Sequence, residues 1–163
     1  MSEQILTRFR KRRKGAETRI LHFAFQDLLP PGQTLVLSLG TRTLSLLCDG
    51  KMVLDQQFSI NELRVLEPIL QAFPHYCPYE VLLASLSSAP ITASAIARCR
   101  QRLLEAQGSQ RWQQELRPIR RALSSVRSKL HRFGLEISNV RERGCSLTCL
   151  TYAGGDLAQR EIV

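Results

Sequence analysis

Residues 34–58 contain short β-rich runs separated by turn-forming dipeptides, a pattern that is typical of an antiparallel sheet. Three β-rich runs, at residues 34–39, 42–48 and 51–58, are separated by the dipeptides Gly-Thr and Asp-Gly. Asp-Gly between two apolar runs favours a tight hairpin turn, because both residues tolerate a positive φ. We therefore predict three consecutive antiparallel strands in this region.

From Ser59 onward, the short β-rich runs give way to apolar residues at helical spacing. Glu62 follows Ser59 by three residues, which is the spacing of a capping box, and apolar residues then recur at helical spacing as far as Phe73. A shorter helix is predicted over residues 78–88, with room for one short strand in the break before it. A third helix is predicted over residues 92–107.

The segment before the sheet is predicted to contain one more helix, over residues 16–29. Its apolar residues fit a helical spacing, and the Pro-Pro-Gly at residues 30–32 would end the helix. Residues 1–15 precede it and carry a dense run of Lys and Arg. We interpret them as a mobile basic arm.

The longest helical segment covers residues 110–133 and carries a continuous apolar stripe. The members of this stripe step by four and three residues, at Trp112, Leu116, Ile119, Leu123, Val126 and Leu130. Because such a stripe faces the core, the arginines between its members must face away from it. Gly134 then suits the end of the helix. The runs LEISNV and CSLTCL on either side of RERG predict a C-terminal β-hairpin.

Charge adds a class of partner to this picture. The chain has 163 residues, is 44% hydrophobic and carries a formal net charge of +9, so it can bury a core and still attract polyanions. Residues 1–20 hold seven Lys or Arg against two Asp or Glu, and residues 98–132 hold ten against two. The rest of the chain is slightly acidic, so two segments carry the whole cationic excess.

Several classes of protein are disfavoured by the sequence. No apolar run is long enough to span a bilayer, and the N-terminus lacks the apolar segment of a secretory signal, so we expect a cytoplasmic protein. The sequence contains no phosphate-binding loop, nucleophile elbow, zinc-protease motif or dinucleotide fingerprint, so we expect no enzyme, no catalytic residue and no cofactor. The five cysteines form no C-x-x-C pair, which favours free thiols over a metal site.

The C-terminal motifs resemble those of the OmpR/PhoB-type DNA-binding domains. VRSKL at 126–130 and ISNVRERGCSL at 137–147 are similar to the last helix and hairpin of that family. FSINELRVLEPIL at 58–70 resembles its first helix, and PYEVLLASL at 78–86 its short second helix. The resemblance implies an α+β fold, a winged helix-turn-helix with an N-terminal antiparallel sheet, a C-terminal β-hairpin wing and an extra helix before the recognition helix.

Three features of the chain differ from the family pattern. Cys145 replaces the tyrosine of the wing, and Glu142 replaces a glycine. About 25 residues, 88–112, stand where the family has a shorter loop, and an extra helix there could bind a partner or cover the DNA-binding face. There is also no room for the phosphorylatable receiver domain to which the family is usually fused, so we do not expect two-component control.

The resemblance implies a bacterial, sequence-specific, DNA-binding transcription regulator. Helix 112–133 would enter the major groove of double-stranded DNA, and wing 139–145 would touch the backbone or the minor groove. Arginine can bind guanine through two hydrogen bonds, and serine can bond a base or a phosphate. The DNA-binding residues that we predict on this basis are Arg117, Arg120, Arg121, Ser124, Ser125, Arg127, Ser128, Lys129 and Arg132 of the helix and Arg141 and Arg143 of the wing.

This interpretation divides the chain into a basic arm and short helix (1–32), a winged-helix DNA-binding domain (33–151) and a flexible tail (152–163). Two alternatives stay open. The same fold could be a protein-docking module, with helices 16–29 and 92–107 binding RNA polymerase or another transcription protein. The arm could instead bind RNA. A homodimer is a further candidate assembly, and no membrane partner is expected.

Overall fold

The computed structural model describes residues 4–8, 19–87 and 90–150, and within them the fold is α+β. The N-terminal half holds strands β1 (Gln4–Arg8), β2 (Arg19–Phe23), β3 (Gln33–Ser38), β4 (Thr43–Cys48) and β5 (Lys51–Gln57). The C-terminal half holds α1 (Ile60–Ala72), β6 (Cys77–Pro78), α2 (Tyr79–Ser87), α3 (Ala93–Ala106), α4 (Gln110–His131), β7 (Leu135–Val140) and β8 (Gly144–Cys149).

The first five strands form one antiparallel sheet in chain order, β1-β2-β3-β4-β5. Strands β3, β4 and β5 confirm the three strands predicted from the β-rich runs. Asp49 and Gly50 form the turn between β4 and β5 with φ values of 50° and 81°, as the Asp-Gly signal predicts. Alternate residues such as Leu35, Leu37 and Leu44 are fully buried, so one face of the sheet covers the core.

The helix predicted over residues 16–29 is wrong. Residues 19–23 form β2, which pairs with β1 on one side and β3 on the other. Leu21, Phe23 and Phe25 are buried at alternate positions, so the strand period of two describes them better than a helical period. The apolar residues of this short segment suit both periods, and the neighbouring strands decide between them.

The N-terminal sheet contains residues from both sides of the domain boundary predicted at residue 32. Residues 4–8 belong to the predicted arm, yet they form strand β1 of the same sheet as the rest of the N-terminal half. The sheet therefore crosses the predicted boundary at residue 32. Residues 1–3 and 9–15 of the predicted arm and the predicted flexible tail, 152–163, lie outside the described residues.

Helix α1 begins at the predicted capping box. Ser59 caps α1 through its side chain, which accepts a hydrogen bond from the Glu62 amide at 3.2 Å, and the Glu62 carboxylate accepts one from the Ser59 amide at 2.8 Å. Helices α2 and α3 lie where shorter helices were predicted, and Thr92 caps α3 through its side chain. None of the helices in the described ranges combines the length and apolar character needed to cross a bilayer.

Helix α4 buries the predicted apolar stripe. Leu116, Ile119, Leu123, Val126 and Leu130 are all buried in the core shared with the other helices and the sheet. Trp112, the first member of the stripe, is half-buried and contacts the ring of Tyr79 edge to face, with 6.2 Å between ring centroids. Gly134 follows the helix with a φ of 72°, which a glycine adopts without strain.

The predicted C-terminal hairpin is confirmed as β7 and β8, and β6 joins it to make a second sheet of order β6-β8-β7. Strand β6 lies between α1 and α2, so its pairing with β8 attaches the hairpin to the helices. Cys77 faces Cys145 across this pairing. Burial raises the pKa of Cys77 to about 12 and that of Cys145 to about 11, so both stay neutral thiols.

Gly144 makes the close approach of β6 and β8 possible, and we predict that Gly144→Ala weakens this junction. A Cβ atom at Gly144 would lie 2.0 Å from the Cys77 carbonyl oxygen and 2.9 Å from the Pro78 Cα atom. Because both are backbone atoms, the strands would have to separate. We expect a loss of about 2 kcal/mol or more in the free energy of unfolding, measured by urea denaturation.

Gly134→Ala is the matched control for this prediction. Gly134 has a positive φ, but no heavy atom lies within 4 Å of the position that a Cβ atom would occupy. Alanine there therefore meets backbone strain without crowding. We expect that variant to lose about 1 kcal/mol. Equal losses in the two variants would show that strand crowding at Gly144 contributes nothing of its own.

Candidate nucleic-acid interface

The face of α4 opposite its buried stripe is exposed and polar. Arg117, Arg121, Ser124 and Ser128 lie at positions i, i+4, i+7 and i+11, so they form one line along the helix. We call these four residues the α4 polar stripe. All four are exposed, and Ser125 lies exposed beside them. The helix thus presents two guanidinium groups followed by hydroxyl groups along a single surface.

The two arginines of the α4 polar stripe have no hydrogen bond or ion pair with any residue that the structure describes. They border an open groove of about 510 Å³ between α4 and the start of α1, where Ser59 and Asn61 form the opposite wall. Each guanidinium therefore keeps its donors available for an acceptor outside the described chain.

The inserted helix α3 does not cover this surface. Its buried side chains, Ala95, Cys99, Leu103 and Ala106, face the core. Arg102 of α3 forms an ion pair with Glu115 in the early part of α4, and this contact places α3 beside the helix start. The α4 polar stripe begins just beyond Glu115 and stays exposed. The insertion therefore leaves the predicted DNA-binding face accessible.

Arg127 occupies a different position from the stripe, on the side of α4 that faces the hairpin. Its Nε atom donates to the Ile137 carbonyl at 3.1 Å, and its Nη2 atom donates to the Asn139 Oδ1 atom at 2.9 Å. The Glu136 carboxylate lies 4.0 Å from Nε. A DNA contact by Arg127 stays a prediction, but these bonds already make it a link between α4 and β7.

Lys129 and Arg132 are engaged with the other side of the fold. The Lys129 Nζ atom donates to the Glu62 Oε1 atom at 2.9 Å and to the Gln57 carbonyl at 3.1 Å. Arg132 donates to the Gln56 side chain and lies 3.5 Å from the Asp55 carbonyl. These acceptors belong to β5, the edge strand of the sheet, and to α1. Both cations thereby cover part of an open sheet edge and fix the last turns of α4.

Glu62 is the buried carboxylate at the centre of this contact, with only 7% of its surface exposed. Burial disfavours its charged form, but the hydrogen bonds from Lys129 and Ser59 outweigh burial and hold the pKa of Glu62 below its ordinary value. Its second oxygen, Oε2, is buried without a hydrogen-bond partner among the described residues. The Lys129 ammonium is consequently the main compensation for a buried negative charge.

The hairpin turn carries the remaining predicted residues. Arg141, Glu142 and Arg143 are exposed, and no hydrogen bond or ion pair joins the two arginine side chains to other described residues. The Arg143 carbonyl accepts a hydrogen bond from the Tyr79 amide at 2.9 Å, which fixes the turn to the start of α2. Glu142 has a φ of 58°, a left-handed conformation that the family glycine would adopt more easily.

Ser125 and Arg120 complete the residues predicted on α4. Ser125 borders the groove beside α1. Arg120 is exposed on the hairpin side and has no ion-pair or hydrogen-bond partner within the described ranges. Sequence reasoning did not find the neighbours of Arg120 in this region, Tyr79 and Asn139. Both residues lie in segments that resemble the family, PYEVLLASL and ISNVRERGCSL, but no local pattern shows that they meet Arg120, because the tertiary fold alone brings the start of α2 and β7 to α4.

The described residues contain no group of three or more His, Cys, Asp or Glu side chains that could hold a metal ion. All five cysteines are free, and the histidine of α4, His131, pairs with Glu136 of β7 at 3.0 Å. That pair is exposed and lies on a hairpin surface, where it adds to the contacts between α4 and β7.

Comparisons with protein-family models, with curated proteins and with solved structures found no match for this chain. The resemblance to OmpR/PhoB-type domains therefore stays a prediction, and the function is argued below from the residues.

We predict that Glu62→Gln removes a pH-dependent part of the stability. The pKa of Glu62 is lowered in the fold, so the unfolded chain binds its proton more readily. The carboxylate then contributes stability that is complete above about pH 4.5 and is lost as the pH falls through the lower, folded pKa. The variant should lose roughly 1–2 kcal/mol at pH 7, and the difference from the parent should shrink in acid.

Glu67→Gln, on the same helix, is the control for this experiment. Burial raises the pKa of Glu67 against the opposing effects of Arg19 and Gln71, so its charge costs stability at neutral pH. We expect that variant to be as stable as the parent or more stable at pH 7. Urea denaturation between pH 3 and pH 7 measures both. A constant difference for Glu62→Gln across this range would contradict the role given to its charge.

Proposed function

We propose that the protein is a sequence-specific, DNA-binding transcription regulator of the winged helix-turn-helix type. Helix α4 would lie in the major groove, and residues 139–145 would form the wing that touches the backbone or minor groove. The observation that carries this proposal is the α4 polar stripe: an exposed line of two unpaired arginines and two serines on a helix whose opposite face is buried.

The order of the elements supports a winged helix. A sheet precedes four helices, the short β6 lies between the first two helices, and the hairpin follows the last helix directly. The hairpin turn returns to the beginning of α4, because Arg143 and Glu142 border the same cleft as Trp112. The unpaired arginines of the turn and those of α4 therefore lie toward the same end of the helix.

The chemistry of the exposed groups fits duplex DNA. A helix about 10–12 Å wide fits the major groove, and an arginine there can donate two hydrogen bonds to guanine. Serine hydroxyls can accept from or donate to bases and phosphates. Residues 98–132 carry ten cations against two carboxylates, and that excess favours association with the phosphate backbone.

We predict that Arg117→Ala and Arg141→Ala weaken DNA binding, each by about 1–3 kcal/mol, because each loses an unpaired guanidinium of the interface. The duplex ligand would first be selected from a library of random sequences. Fluorescence anisotropy across a series of KCl concentrations then gives affinity and salt dependence. For a variant that loses a phosphate contact, the slope of log affinity against log salt concentration should also be smaller in magnitude by about one.

Arg98→Ala is the matched control. Arg98 is an exposed arginine of α3 on a different surface, so its loss lowers the net charge equally without touching the proposed interface. We expect it to lower the affinity slightly and equally for all sequences. Unchanged affinity in both Arg117→Ala and Arg141→Ala would refute the DNA-binding assignment.

A protein-docking module is the second candidate, and one surface favours it. A cleft of about 260 Å³ lies between α3 and the hairpin turn, with Tyr76, Leu103 and Leu104 on its walls. The side chain of Leu104 is 58% exposed, and Ile91 nearby in sequence is 41% exposed. Exposed apolar side chains on an inserted helix suit contact with RNA polymerase or another regulator. The RNA-binding alternative rests on the basic arm, most of which lies outside the described residues.

Leu104→Ser separates the two candidates. If the protein acts by binding DNA through α4, this variant should select the same duplexes as the parent with affinity within about twofold, since Leu104 lies on α3 away from the stripe. If the protein is a docking module, DNA binding should occur only at low salt and without sequence selection. Repeating the library selection with the parent and the variant at physiological salt decides between these outcomes.

A further inference from the structure

A small polar cleft lies between α4, the start of α2 and strand β7, beside the α4 polar stripe. Its volume is about 230 Å³, and its polar side chains are those of Tyr79, Arg120, Arg127 and Asn139. Apolar side chains of α4 form its floor. The lining contains two positive charges and no carboxylate, and the Glu136 carboxylate lies 4.0 Å from the Arg127 Nε atom.

The two guanidinium groups of the cleft are held differently. Arg127 is half-buried and fixed by its bonds to the Ile137 carbonyl and to Asn139, so its direction is set before any ligand arrives. Its Nη1 atom makes no hydrogen bond to the residues described. Arg120 is exposed and free of ion pairs there. Arg127 is therefore held in one orientation, and Arg120 is free to move toward a bound group.

Tyr79 supplies a further donor. Its side chain is only 9% exposed, yet its hydroxyl makes no hydrogen bond with any residue in the described ranges. Tyr79 lines the same cleft as Arg120 and Arg127. Burial and Cys145 raise the pKa of Tyr79, whereas the two guanidinium groups act in the opposite direction. The hydroxyl, which is protonated at neutral pH, keeps its donor available for a ligand in the cleft.

We propose that this cleft binds one phosphate group. Arg120, Arg127 and the Tyr79 hydroxyl can each donate to a different oxygen of a tetrahedral oxyanion, and the Asn139 amide lies within the same walls. Guanidinium groups form short, charge-assisted hydrogen bonds with phosphate, often in pairs. The phosphate source rests on the proposed function: a backbone phosphate of DNA passing between α4 and the hairpin, or otherwise free phosphate.

The first experiment uses inorganic phosphate and the whole protein without DNA. Trp112 lies 6.2 Å from Tyr79, so its fluorescence reports on the cleft, and chloride at equal ionic strength gives the baseline. We expect a saturable change with phosphate. Arg120→Gln should weaken binding about tenfold or more, and Tyr79→Phe about threefold to tenfold, because each removes a bond to a charged group.

Arg98→Gln is the control, since it removes an exposed arginine outside the cleft and should change phosphate binding less than about twofold. Arg120 is exposed, so Arg120→Gln is expected to fold, and thermal unfolding confirms this for every variant. The absence of a saturable change beyond the chloride baseline would overturn the proposal. An equal loss in Arg98→Gln and Arg120→Gln would also overturn it.

The second experiment identifies the source of the phosphate. A selected duplex is added to the phosphate-loaded protein, and duplexes with a single neutral methylphosphonate are compared. Two results together assign the cleft to the DNA backbone. The duplex displaces phosphate, and one methylphosphonate position weakens duplex binding by the parent but not by Arg120→Gln. Phosphate binding with the expected variants, without competition by any duplex, supports the cleft as a site for free phosphate. This last outcome would leave the phosphate site standing and separate it from the DNA-binding function, which the Arg117→Ala and Arg141→Ala variants test independently.

Discussion

The buried contact between Glu62 and Lys129 fixes how α4 crosses the rest of the fold. Glu62 stands in the first turn of α1, directly after the sheet, and Lys129 stands in the last turn of α4. Their 2.9 Å bond joins the start of one helix to the end of the other, and the Gln57 carbonyl holds the same ammonium. A buried charge pair adds little net stability, but removing one partner leaves the other charge uncompensated. The contact therefore acts mainly to select one orientation of α4, and that orientation decides which arginines face outward.

The cations of α4 divide by position along the helix. Near its C-terminal end, Lys129 and Arg132 bond to β5 and α1, and Arg127 bonds to β7. Nearer its N-terminal end, Arg117, Arg120 and Arg121 have no partner among the residues that the structure describes. The cations near the C-terminal end therefore attach α4 to the rest of the fold, and the arginines nearer the N-terminal end stay available to a ligand. Net charge alone does not separate these roles, since a cation satisfied by backbone carbonyls contributes to the field around the protein but has fewer donors left for a ligand.

Local signals predicted most of the fold. The Asp-Gly turn, the Ser59 capping box and the six-residue apolar stripe each depend on residues within a few positions of one another, and all three are confirmed. The error at β2 has the opposite origin: residues 19–23 suit two periods, and only pairing with distant strands makes them a strand. The site shows the same limit. The sequence identified the arginines of α4, but the partners of Lys129 lie 67 and 72 positions away, so no local pattern could show which cations were already engaged.

Three attachments hold the hairpin against the helices, and together they bear on how it could meet a ligand. Strand β6 pairs with β8, Arg127 bonds to β7, and the Tyr79 amide bonds to the carbonyl of the turn. A hairpin fixed at both strands and at its turn cannot swing as a free arm, so the entropy of ordering it is already spent in folding. The spacing between the turn and α4 is then a fixed dimension of the molecule. Under the proposed DNA-binding function, a duplex that fits both surfaces would bind without rearranging the protein. A duplex whose backbone does not match that spacing would itself have to deform, which would make DNA shape a basis for selectivity.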